Sequence, residues 1–479
     1  MSSLLPIVPI PGELSARATF SRRQLAAMLA VLALFCLGLL VMHLLALQVV
    51  IAAAIAAYVA IAVYKIYVLF VAVRRGTPDF PTIQSASLPL YTILVPLYHE
   101  AAVLPGLLDA LGKLDYPRDR LEVLLLLEED DVETSRACAA LSLPGYTRAL
   151  VVPQGYPKTK PRACNEGLAA AHGEYLVIYD AEDRPDPDQL RKALAAFANA
   201  RSNVVCQQAK LAYYNQRQNI LTRMFTIDYA NWFEGILPGL TWLEAPIPLG
   251  GTSNHFRTDK LRELGGWDPY NVAEDADLGI RLARRGYQTA MFESVTWEEA
   301  NSKLKSWIKQ RSRWTKGYMQ TFLVHTRHPR RLWRDLGAMN CWRFVILVAG
   351  TWFAGLVNPV FWALGFAYYA TRSTAIEALF LTPVYYLGLF CLIIGNFIFI
   401  YMNVYTAVKW GYDGLAKWAM LTPIYWILHS VAAYMALYEL IVRPHHWQKT
   451  THGLASQAQK QQVDLAAAVA TIATTKPGT

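Results

Sequence analysis

Two long apolar blocks flank a stretch in which short apolar runs alternate with polar loops. Residues 25–73 contain Lys65 as their only Asp, Glu, Lys or Arg, and residues 344–442 are similarly poor in charge. Between the blocks, residues 77–335 have the pattern of a soluble domain of strands and helices. The distribution of apolar residues therefore predicts a soluble domain held between membrane segments.

The first block is long enough for a helical hairpin. One bilayer crossing needs about 20 residues, so we expect membrane helices over 24–45 and 49–73 with a turn at 43–48. Cytoplasmic segments beside membrane helices carry an excess of basic residues. Such residues flank both ends of the block: Arg17, Arg22, Arg23, Arg74 and Arg75. Both ends of the hairpin, and the soluble domain, are therefore expected in the cytoplasm.

The second block contains three apolar segments, over 344–370, 381–408 and 419–441. Three full crossings would leave the basic segment 443–453 outside, against the rule that basic residues stay in the cytoplasm. One segment would then be re-entrant or lie in the membrane interface, and the sequence leaves this open. The organisation that we predict is a cytoplasmic N-terminus (1–23), a transmembrane hairpin (24–73), a cytoplasmic soluble domain (77–300), amphipathic interface helices (301–340), transmembrane helices (341–442) and a partly disordered tail expected in the cytoplasm (443–479).

The soluble domain shows the pattern of a parallel sheet covered by helices on both faces. Apolar runs of strand length lie at 90–96, 121–127, 148–153 and 174–179, and helical segments alternate with them. Strands buried on both faces are continuous apolar runs, and their alternation with helices indicates an α/β domain with a mostly parallel sheet.

Clusters of carboxylates follow two of these strands. "EEDD" (128–131) ends one strand and "DAED" (180–183) ends another. In such sheets ligands bind beyond the carboxyl ends of the strands, and crowded carboxylates need a positive partner. A divalent metal with a nucleotide would supply it. A simple polar turn is the alternative, because "RPDPD" (184–188) suits turn chemistry.

Composition narrows the class of protein. With 54% hydrophobic and 17% charged residues, the chain is too apolar for an ordinary soluble protein. The net charge of +9 comes with basic residues near the membrane segments, as in 327–334, so we expect contact with the lipid bilayer and no nucleic-acid partner. The 6 cysteines are dispersed without a C-x-x-C motif, which argues against a disulfide framework or a zinc site.

Two later segments carry charged and aromatic residues at helical spacing. Residues 271–287 open with acids and close with basic residues, which interaction with the helix dipole explains on its own. Residues 306–320 place Trp307, Trp314 and Tyr318 near one face, which suits a helix lying on a membrane. Neither segment identifies a function by itself.

The order of these motifs resembles the membrane-embedded family-2 glycosyltransferases. "DAED", "GGTSN", "AED" and "QRSRW" follow one another between a hairpin and a C-terminal membrane block, and "QRSRW" (310–314) fits the family's Q-x-x-R-W pattern. The family includes the bacterial cellulose synthase catalytic subunit, hyaluronan synthase and other exopolysaccharide synthases. The resemblance covers 90–320 in motif order and 20–440 in architecture. It implies a Rossmann-like α/β domain of the glycosyltransferase A type, inserted between α-helical transmembrane segments.

The resemblance implies a nucleotide site in the first half of the domain. "VPLYHE" (95–100) resembles the family's VP-x-Y-N-E, with His99 in the place of Asn. One acid of "EEDD" should contact the base or ribose, and the sequence leaves open which one. Lys160 and Asn165 match the Lys and Asn of K-x-G-x-L-N. The implied nucleotide-binding residues are Pro96, Tyr98, Glu100, Glu129, Lys160, Asp180, Arg311 and Arg313.

The resemblance also implies a Mg²⁺ or Mn²⁺ site. "DAEDRPDPD" (180–188) aligns without gaps with D-A-D-x-x-P-x-P-D. Asp180 matches the first metal-site Asp, Glu182 replaces the second, and Asp183 is an additional carboxylate. Which of Glu182 and Asp183 binds the metal stays open. A metal there would offset the charge that develops on a diphosphate leaving group.

The catalytic base is implied by "AED" (273–275), which keeps both acids of the family's "TED". Asp275 is the expected general base and Glu274 the next candidate, because a sugar hydroxyl must lose its proton during attack. One base opposite one leaving group implies inversion at the anomeric carbon. The implied acceptor-binding residues are Gly251, Thr252, Gln310, Arg313 and Trp314.

Together these features predict an inverting, metal-dependent hexosyltransferase in the plasma (inner) membrane, with a cytoplasmic catalytic domain. It would transfer a hexose from UDP-glucose or UDP-N-acetylglucosamine to a growing exopolysaccharide and move the polymer across the membrane. That function leaves room for accessory export subunits. One alternative is transfer of a single sugar to a polyprenyl-phosphate or glycolipid, so that the acceptor is lipid-linked. The other is a membrane receptor or transporter with a degenerate transferase domain.

Overall fold

A mixed sheet forms the centre of the domain that lies between the apolar helices. The computed structural model describes residues 6–83 and 88–446. Within them the sheet has 8 strands in the order β3-β2-β1-β4-β7-β6-β8-β5. The strands are β1 (Tyr91–Leu97), β2 (Leu121–Glu128), β3 (Thr147–Val152), β4 (Tyr175–Ile178), β5 (Arg184–Pro185), β6 (Val204–Tyr213), β7 (Asn254–Arg257) and β8 (Gln288–Glu298).

The four strands predicted from apolar runs form the parallel half of this sheet. β1 pairs in parallel with β2 and β4, and β2 pairs in parallel with β3. The other half is mixed, because β7 runs antiparallel to both β4 and β6, while β6 and β8 are parallel. The mostly parallel α/β fold is therefore confirmed, and the antiparallel insertion of β7 is a feature that the sequence pattern did not predict.

Helices cover both faces of the sheet and continue into the apolar segments. The helices are α1 (Arg22–Arg75), α2 (Leu104–Gly112), α3 (Val132–Ala139), α4 (Lys160–Ala170), α5 (Gln189–Asn199), α6 (Ile220–Ala230), α7 (Leu237–Trp242), α8 (Thr258–Glu263), α9 (Glu274–Arg284), α10 (Leu304–His325), α11 (Pro329–Phe344), α12 (Gly350–Thr371), α13 (Thr374–Glu377), α14 (Thr382–Phe390), α15 (Asn396–Lys409) and α16 (Thr422–Val442). Short π-helical turns join α6 to α7, α11 to α12, and α14 to α15.

Alternate residues of the central strands supply two hydrophobic cores. On β1, Leu94 belongs to the core beneath α4, whereas Ile93 and Val95 belong to the core beneath α2. Successive side chains of a strand point to opposite faces, so a strand packed on both faces must be apolar throughout. This is why β1 and β2 are continuous apolar runs.

Helix α1 is a hairpin rather than one straight rod. Met42 has non-helical dihedral angles (φ −139°, ψ 53°), and a Cβ on Gly38 would lie 3.3 Å from the Cβ of Ala46. Eight residues of straight helix span about 12 Å, so the chain reverses there, just before the expected turn at 43–48. Gln24 donates to Leu323 O and Trp242 donates to Gly76 O, and both ends therefore lie against the catalytic-domain side.

The next two apolar segments form a second pair that leaves this side and returns. The amide of Gln48, near the hairpin turn, donates to Ala378 O in the connection after α13. At the other end, the ammonium of Lys409 donates to Val73 O close to the domain. The pair α12 and α14–α15 therefore runs alongside the hairpin, with its connection at the far end.

The last apolar segment follows a different course, which favours an interface position over a third crossing of the second block. Helix α16 lies along α10: the rings of Trp307 and Tyr425 are 5.1 Å apart near one end, and Lys316 Nζ lies 2.9 Å from Glu439 Oε2 near the other. Both ends of α16 thus remain beside the domain. Of the described helices, four stretches are long and apolar enough to cross a membrane: Arg22–Arg75, Pro329–Thr371, Thr382–Lys409 and Asp413–Val442. The contacts of Asp413–Val442, which contains α16, favour a position in the membrane interface.

The N-terminal segment before α1 packs under the domain. Ser15 donates to Asp268 Oδ1 at 2.9 Å, and the guanidinium of Arg327 donates to the carbonyl of Ser15 at 2.9 Å. The C-terminal residues 443–446 are held nearby, since His445 contacts Tyr270 O at 3.2 Å. The predicted disorder of the tail concerns residues 447–479, which lie outside the described residues.

Topology reporters give a direct test of the position of α16. We expect reporters inserted after Gly76 and fused to the C-terminus to report the same, cytoplasmic side. A reporter inserted after Arg372, at the far end of α12, should report the opposite side. If the C-terminal fusion and the Arg372 insertion reported the same side, the interface position would be contradicted and α16 would be a full crossing.

Candidate active site

The carboxyl ends of β1, β2, β4 and β8 open into a cavity of about 660 Å³. Its floor is formed by charged residues of the domain, and its wall by the start of α9 and the middle of α10. The cavity continues between α1, α12, α15 and α16. The charged residues that line it are Lys65, Glu100, Glu128, Lys158, Lys160, Asp180, Glu182, Asp228, Glu274, Asp275, Glu298, Arg311 and Arg313, together with His429.

The acids of "DAED" occupy two different positions. Asp180 and Glu182 line the cavity. Asp183 is 1% exposed and lies behind them, where it accepts hydrogen bonds from the backbone N–H of Asp180 at 2.7 Å and from the hydroxyl of Thr252. Glu182 therefore lies in the cavity wall, whereas Asp183 stabilises the turn through its hydrogen bonds. A metal-binding role for Asp183 is not supported by this placement.

Lys160 is the positive partner of the acids. Its Nζ lies 2.5 Å from Asp180 Oδ1 and donates to Gly251 O at 2.6 Å. Burial alone would lower the pKa of Lys160, but the charges of Asp180, Asp275 and Glu274 raise it above its usual value. Lys160 therefore remains an ammonium at neutral pH. This geometry is compatible with the prediction that Lys160 binds the diphosphate of a nucleotide.

Negative charge at the strand ends exceeds what Lys160 can balance. Burial, followed by the charges of Asp180 and Glu182, raises the pKa of Asp183 well above its ordinary value. Burial also raises the pKa of Glu298, at the end of β8, and the charge of Asp183 adds to the effect. These shifts indicate that a cation would be bound favourably beside Asp180 and Glu182.

The residues present fit a divalent ion that shares its coordination with a substrate. Within residues 6–83 and 88–446, no three His, Cys, Asp or Glu side chains form a closed metal cage. Mg²⁺ is commonly held by one or two carboxylates and by substrate phosphates, which Asp180 and Glu182 can satisfy. The buried Oδ1 of Asp183 has no hydrogen-bond partner, so the turn keeps an uncompensated acceptor next to that position.

The two acids of "AED" begin helix α9, and both are buried. Trp267 Nε1 donates to Asp275 Oδ1 at 3.0 Å, which orients the carboxyl. Burial and the neighbouring charge of Glu274 raise the pKa of Asp275 well above its ordinary value. Burial also raises the pKa of Glu274, although the charges of Lys160 and Arg313 oppose the shift. A raised pKa makes Asp275 a stronger base once it is ionised.

Helix α10 is locked against these acids by a close approach. A Cβ on Gly317 would lie 2.2 Å from the Cβ of Ala273, so only glycine fits there. Gln320 accepts from the N–H of Val272 at 3.0 Å. The "QRSRW" helix and the acids of "AED" therefore pack closely together. Gln310, Arg313 and Trp314 line the cavity, and their acceptor-binding role stays a prediction.

Arg311 lines the cavity, but its charge is partly balanced within the protein. Its guanidinium pairs with Asp228 and lies 4.7 Å from the ring of Phe225, 5.5 Å from that of Trp307 and 5.0 Å from that of Trp314. A guanidinium binds a carboxylate and stacks on aromatic rings in this way. The pair with Asp228 links α10 to α6, and the nucleotide-binding role of Arg311 stays a prediction.

The predicted roles of Thr252 and Glu129 compete with contacts inside the protein. The single hydroxyl hydrogen of Thr252 points to Ile178 O, at 3.0 Å, or to Asp183, so only the oxygen of this hydroxyl is left to bind an acceptor. Glu129 accepts from the N–H of Gln154 at 3.0 Å on the exposed surface. Its neighbour Glu128 lines the cavity instead, with Arg162 Nη2 2.7 Å from its Oε2. Because strand side chains alternate, one residue of register decides which acid faces the site.

The remaining predicted residues of the nucleotide site are brought together. Pro96, Tyr98 and Glu100 line the cavity beside Lys158, whose Nζ lies 3.9 Å above the ring of Tyr98. His99, which replaces the family's Asn, has a left-handed backbone (φ 53°), and its N–H donates to Asp131 at 2.5 Å.

Several residues that line the cavity lie outside the motifs of the sequence. Glu298 follows a strand as the other acids do, so "TWEE" (296–299) carried a usable signal. Lys65 is the single charged residue of the first apolar block, and no motif predicts a role for it. Asp228 and His429 lie on helices that no motif marked, and only tertiary packing places them here.

Comparison with known proteins identifies the family. Residues 175–438, more than half of the chain, match the family described as glycosyl transferase family group 2. The chain belongs to this family. The prediction of a family-2 glycosyltransferase enzyme is thereby confirmed, which argues against the receptor and transporter alternative.

Curated relatives of this family member include enzymes with different acceptors. The chain is 29% identical over 235 residues to the probable glycosyltransferase YdaM of Bacillus subtilis (48% of this chain, 55% of the relative). It is 25% identical to glucomannan 4-beta-mannosyltransferase 1 of Oryza sativa (51% and 48%) and to beta-monoglucosyldiacylglycerol synthase of Trichormus variabilis (50% and 50%). The chain thus spans about half the length of the curated relatives that it matches.

A solved structure supports the fold. The mannosyltransferase PcManGT of Pyrobaculum calidifontis, in complex with GDP-Man and Mn²⁺, superimposes with a TM-score of 0.56 at 20% identity. The match covers 82% of this chain and 99% of PcManGT. The expected glycosyltransferase A-like fold is therefore present.

Substitutions at the turn should separate the roles of its acids. Glu182→Gln should lower transfer and raise the Mn²⁺ concentration needed for half-maximal activity, with an unchanged melting temperature. Asp183→Asn should keep its fold, because an amide oxygen accepts the same two hydrogen bonds. Burial raises the pKa of Asp183, so the folded state favours its neutral form, and replacement by a neutral amide should not lower stability.

Asp183→Ala provides the matched control for this turn. It leaves the N–H of Asp180 and the hydroxyl of Thr252 without their acceptor and should cost about 1–3 kcal/mol of unfolding free energy. A metal dependence that shifts more in Asp183→Asn than in Glu182→Gln would reverse the two assignments.

Asp275→Asn tests the general base. The amide keeps the bond from Trp267 but cannot take a proton, so turnover should fall by about 10²–10⁴-fold while nucleoside diphosphate binding stays near wild type. If Asp275 only complements the helix dipole, its loss should cost about 0.3–1 kcal/mol of stability and leave turnover intact. Turnover, calorimetric nucleotide binding and melting temperature measured on one preparation decide between the two roles.

Proposed function

We propose that this protein is an inverting hexosyltransferase that moves a hexose from a nucleotide sugar to an acceptor held partly between its membrane helices. The observation that carries the proposal is the continuity of one cavity from Asp180 and Asp275 to residues of α1, α12, α15 and α16. A soluble acceptor would need no such path. The position of the domain supports a multi-pass protein of the plasma (inner) membrane with a cytoplasmic active site.

In this mechanism the acceptor hydroxyl lies between Asp275 and the donor sugar. Asp275 takes the hydroxyl proton as the oxygen attacks the anomeric carbon from the face opposite the diphosphate. A raised pKa suits this task, because the base must hold the proton that it receives. Lys160 and Arg313 present positive charge to the diphosphate. A Mg²⁺ or Mn²⁺ ion held by Asp180 and Glu182 would supply Lewis-acid stabilisation of the departing phosphate oxygens.

The donor is proposed to be a nucleoside diphosphate hexose. UDP-glucose and UDP-N-acetylglucosamine are the candidates from the sequence resemblance, and PcManGT was solved with GDP-Man and Mn²⁺, which adds GDP-mannose to the candidates. Pro96, Tyr98 and Glu128 form the part of the cavity wall where a base and ribose would lie.

One candidate acceptor is a growing exopolysaccharide that leaves through the membrane, with accessory export subunits where the envelope requires them. The cavity wall carries flat aromatic faces suited to sugar rings, notably Tyr229, Trp232, Trp314, Phe399 and Trp426. The glucomannan mannosyltransferase relative is named for a polymer, in line with this proposal.

A lipid-linked acceptor is the second candidate. One relative is named as a synthase of a glycolipid, beta-monoglucosyldiacylglycerol. The cavity of this chain reaches the apolar helices, as a lipid-borne hydroxyl would require. The two candidates share donor, base and metal, and differ in the size of the product.

Purified protein incubated with labelled UDP-glucose, UDP-N-acetylglucosamine and GDP-mannose tests the proposal. We expect nucleotide release with one donor, its loss in EDTA and its return with Mg²⁺ or Mn²⁺. Products longer than about ten sugars on gel filtration support the polymer, and a single labelled lipid on thin-layer chromatography supports the second candidate. Undiminished transfer in EDTA would refute the metal assignment, and no nucleotide release from any donor would refute the transferase.

A further inference from the structure

Lys65 places a positive charge at the membrane end of the cavity. Tyr58, Ile61, Ala62 and Lys65 line the cavity together. Their spacing of three and four residues puts them on one face of α1. An ionisable side chain on an apolar membrane helix is costly, so it marks a functional site unless a partner satisfies it.

Asp228, the carboxylate that could balance the charge of Lys65, already forms an ion pair with Arg311. Asp228, the acid that acts on Lys65 through space, is paired with Arg311 and lies 4.0 Å from His429 Nε2. Throughout residues 6–83 and 88–446, no carboxylate lies at ion-pair distance from Lys65. With His429 neutral, Lys65, Arg311 and Asp228 leave this end of the cavity with one uncompensated positive charge.

Polar groups that line the cavity together with Lys65 can bind a ligand that carries hydroxyl groups. Asn231 Nδ2 donates to Asn403 Oδ1 at 3.2 Å, and Asn403 in turn donates to Thr422. The Oδ1 of Asn231 is buried without a hydrogen-bond partner, although the residue lines the cavity. An unpaired buried acceptor is unfavourable, and a ligand hydroxyl would supply the missing hydrogen bond. Trp232 and Trp426 add flat apolar faces.

At the opposite end of the cavity the few cationic side chains face acids and, in the proposed mechanism, the diphosphate of the donor. Glu128, Glu182, Glu274, Asp275 and Glu298 line this end against Lys158, Lys160 and Arg313. An acceptor that carries one negative charge would therefore bind with that charge at Lys65 and with a neutral hydroxyl toward Asp275. A phosphodiester carries one negative charge, which equals the surplus at Lys65.

The outer surface of the same helices favours a lipid as the carrier of that phosphodiester. On α1, Val63 is 60% exposed, and on α15, Tyr401 is 67% exposed. These apolar surfaces border the wall of the cavity and suit acyl chains.

We propose that the acceptor is an anionic lipid whose hydroxyl-bearing headgroup is joined through a phosphodiester, and that Lys65 binds this phosphodiester. The inference rests on the proposed transferase function and names the acceptor class of the same site. In the reaction a headgroup C–O–H attacks the anomeric carbon. The new C–O bond forms as the bond to the diphosphate breaks, the proton passes to Asp275, and the nucleoside diphosphate leaves with the bonding electrons. The phosphodiester itself is unchanged.

Binding is tested first, because it needs no donor. Dihexanoyl-phosphatidylglycerol below its micelle concentration, titrated into the full chain by calorimetry, should bind more tightly than the uncharged dihexanoylglycerol glucoside. Lys65→Gln should weaken binding of the anionic lipid about 10- to 100-fold, the value of a charge-assisted hydrogen bond, and Lys65→Arg should restore most of it. Arg74→Gln, at the end of the same helix and outside the cavity, is the matched control and should bind like wild type.

Transfer is tested second, with the donor found active in the panel. The rate with the anionic lipid divided by the rate with the neutral glucoside should fall in Lys65→Gln and recover in Lys65→Arg. Equal weakening of both lipids in Lys65→Gln, with or without a change in melting temperature, would overturn the proposal. Preference for a glucuronate-terminated oligosaccharide over the phospholipid would also overturn it, by assigning Lys65 to an acidic sugar. If no donor is turned over, the transferase function fails while the binding titration still decides the lipid site.

Discussion

The crowding of buried carboxylates at the ends of β4 and β8 is the constraint on which the site depends. Asp180, Glu182, Asp183 and Glu298 cannot all be ionised there without nearby positive charge, and Lys160 supplies only part of it. The turn is nevertheless held in place, because Asp183 accepts from the backbone of Asp180 and from Thr252. The fold thus maintains an unbalanced negative site that binding of a cation would stabilise.

The same constraint explains why α10 packs so closely on the domain. Arg313 brings a second cation to the acids, and it can do so only if the helix approaches the start of α9 without a side chain between them. Gly317 permits that approach at Ala273. Arg311 fixes the helix from its other side by its pair with Asp228. Two arginines that are neighbours in one motif therefore differ in their contacts, one facing the acids and one pairing with Asp228.

The link between site and membrane follows from this packing. Helix α16 lies along α10, and Lys316 of α10 binds Glu439 and the carbonyl of His446. The acids, the "QRSRW" helix and the membrane-side wall of the cavity are consequently parts of one packed assembly.

The sequence by itself determined the alternation of strands and helices, the hairpin before the domain, the family resemblance and most acids of the site. These are local properties: apolar period, charge at strand ends and short motifs. Tertiary structure alone decided which of two adjacent acids faces the cavity, as with Glu128 over Glu129 and Glu182 over Asp183. It also decided that Arg311 pairs with Asp228 and that α16 packs along α10. The physical reason is that these outcomes depend on partners distant in the chain, such as Asp228, Thr252 and Glu439, whose approach no local pattern encodes.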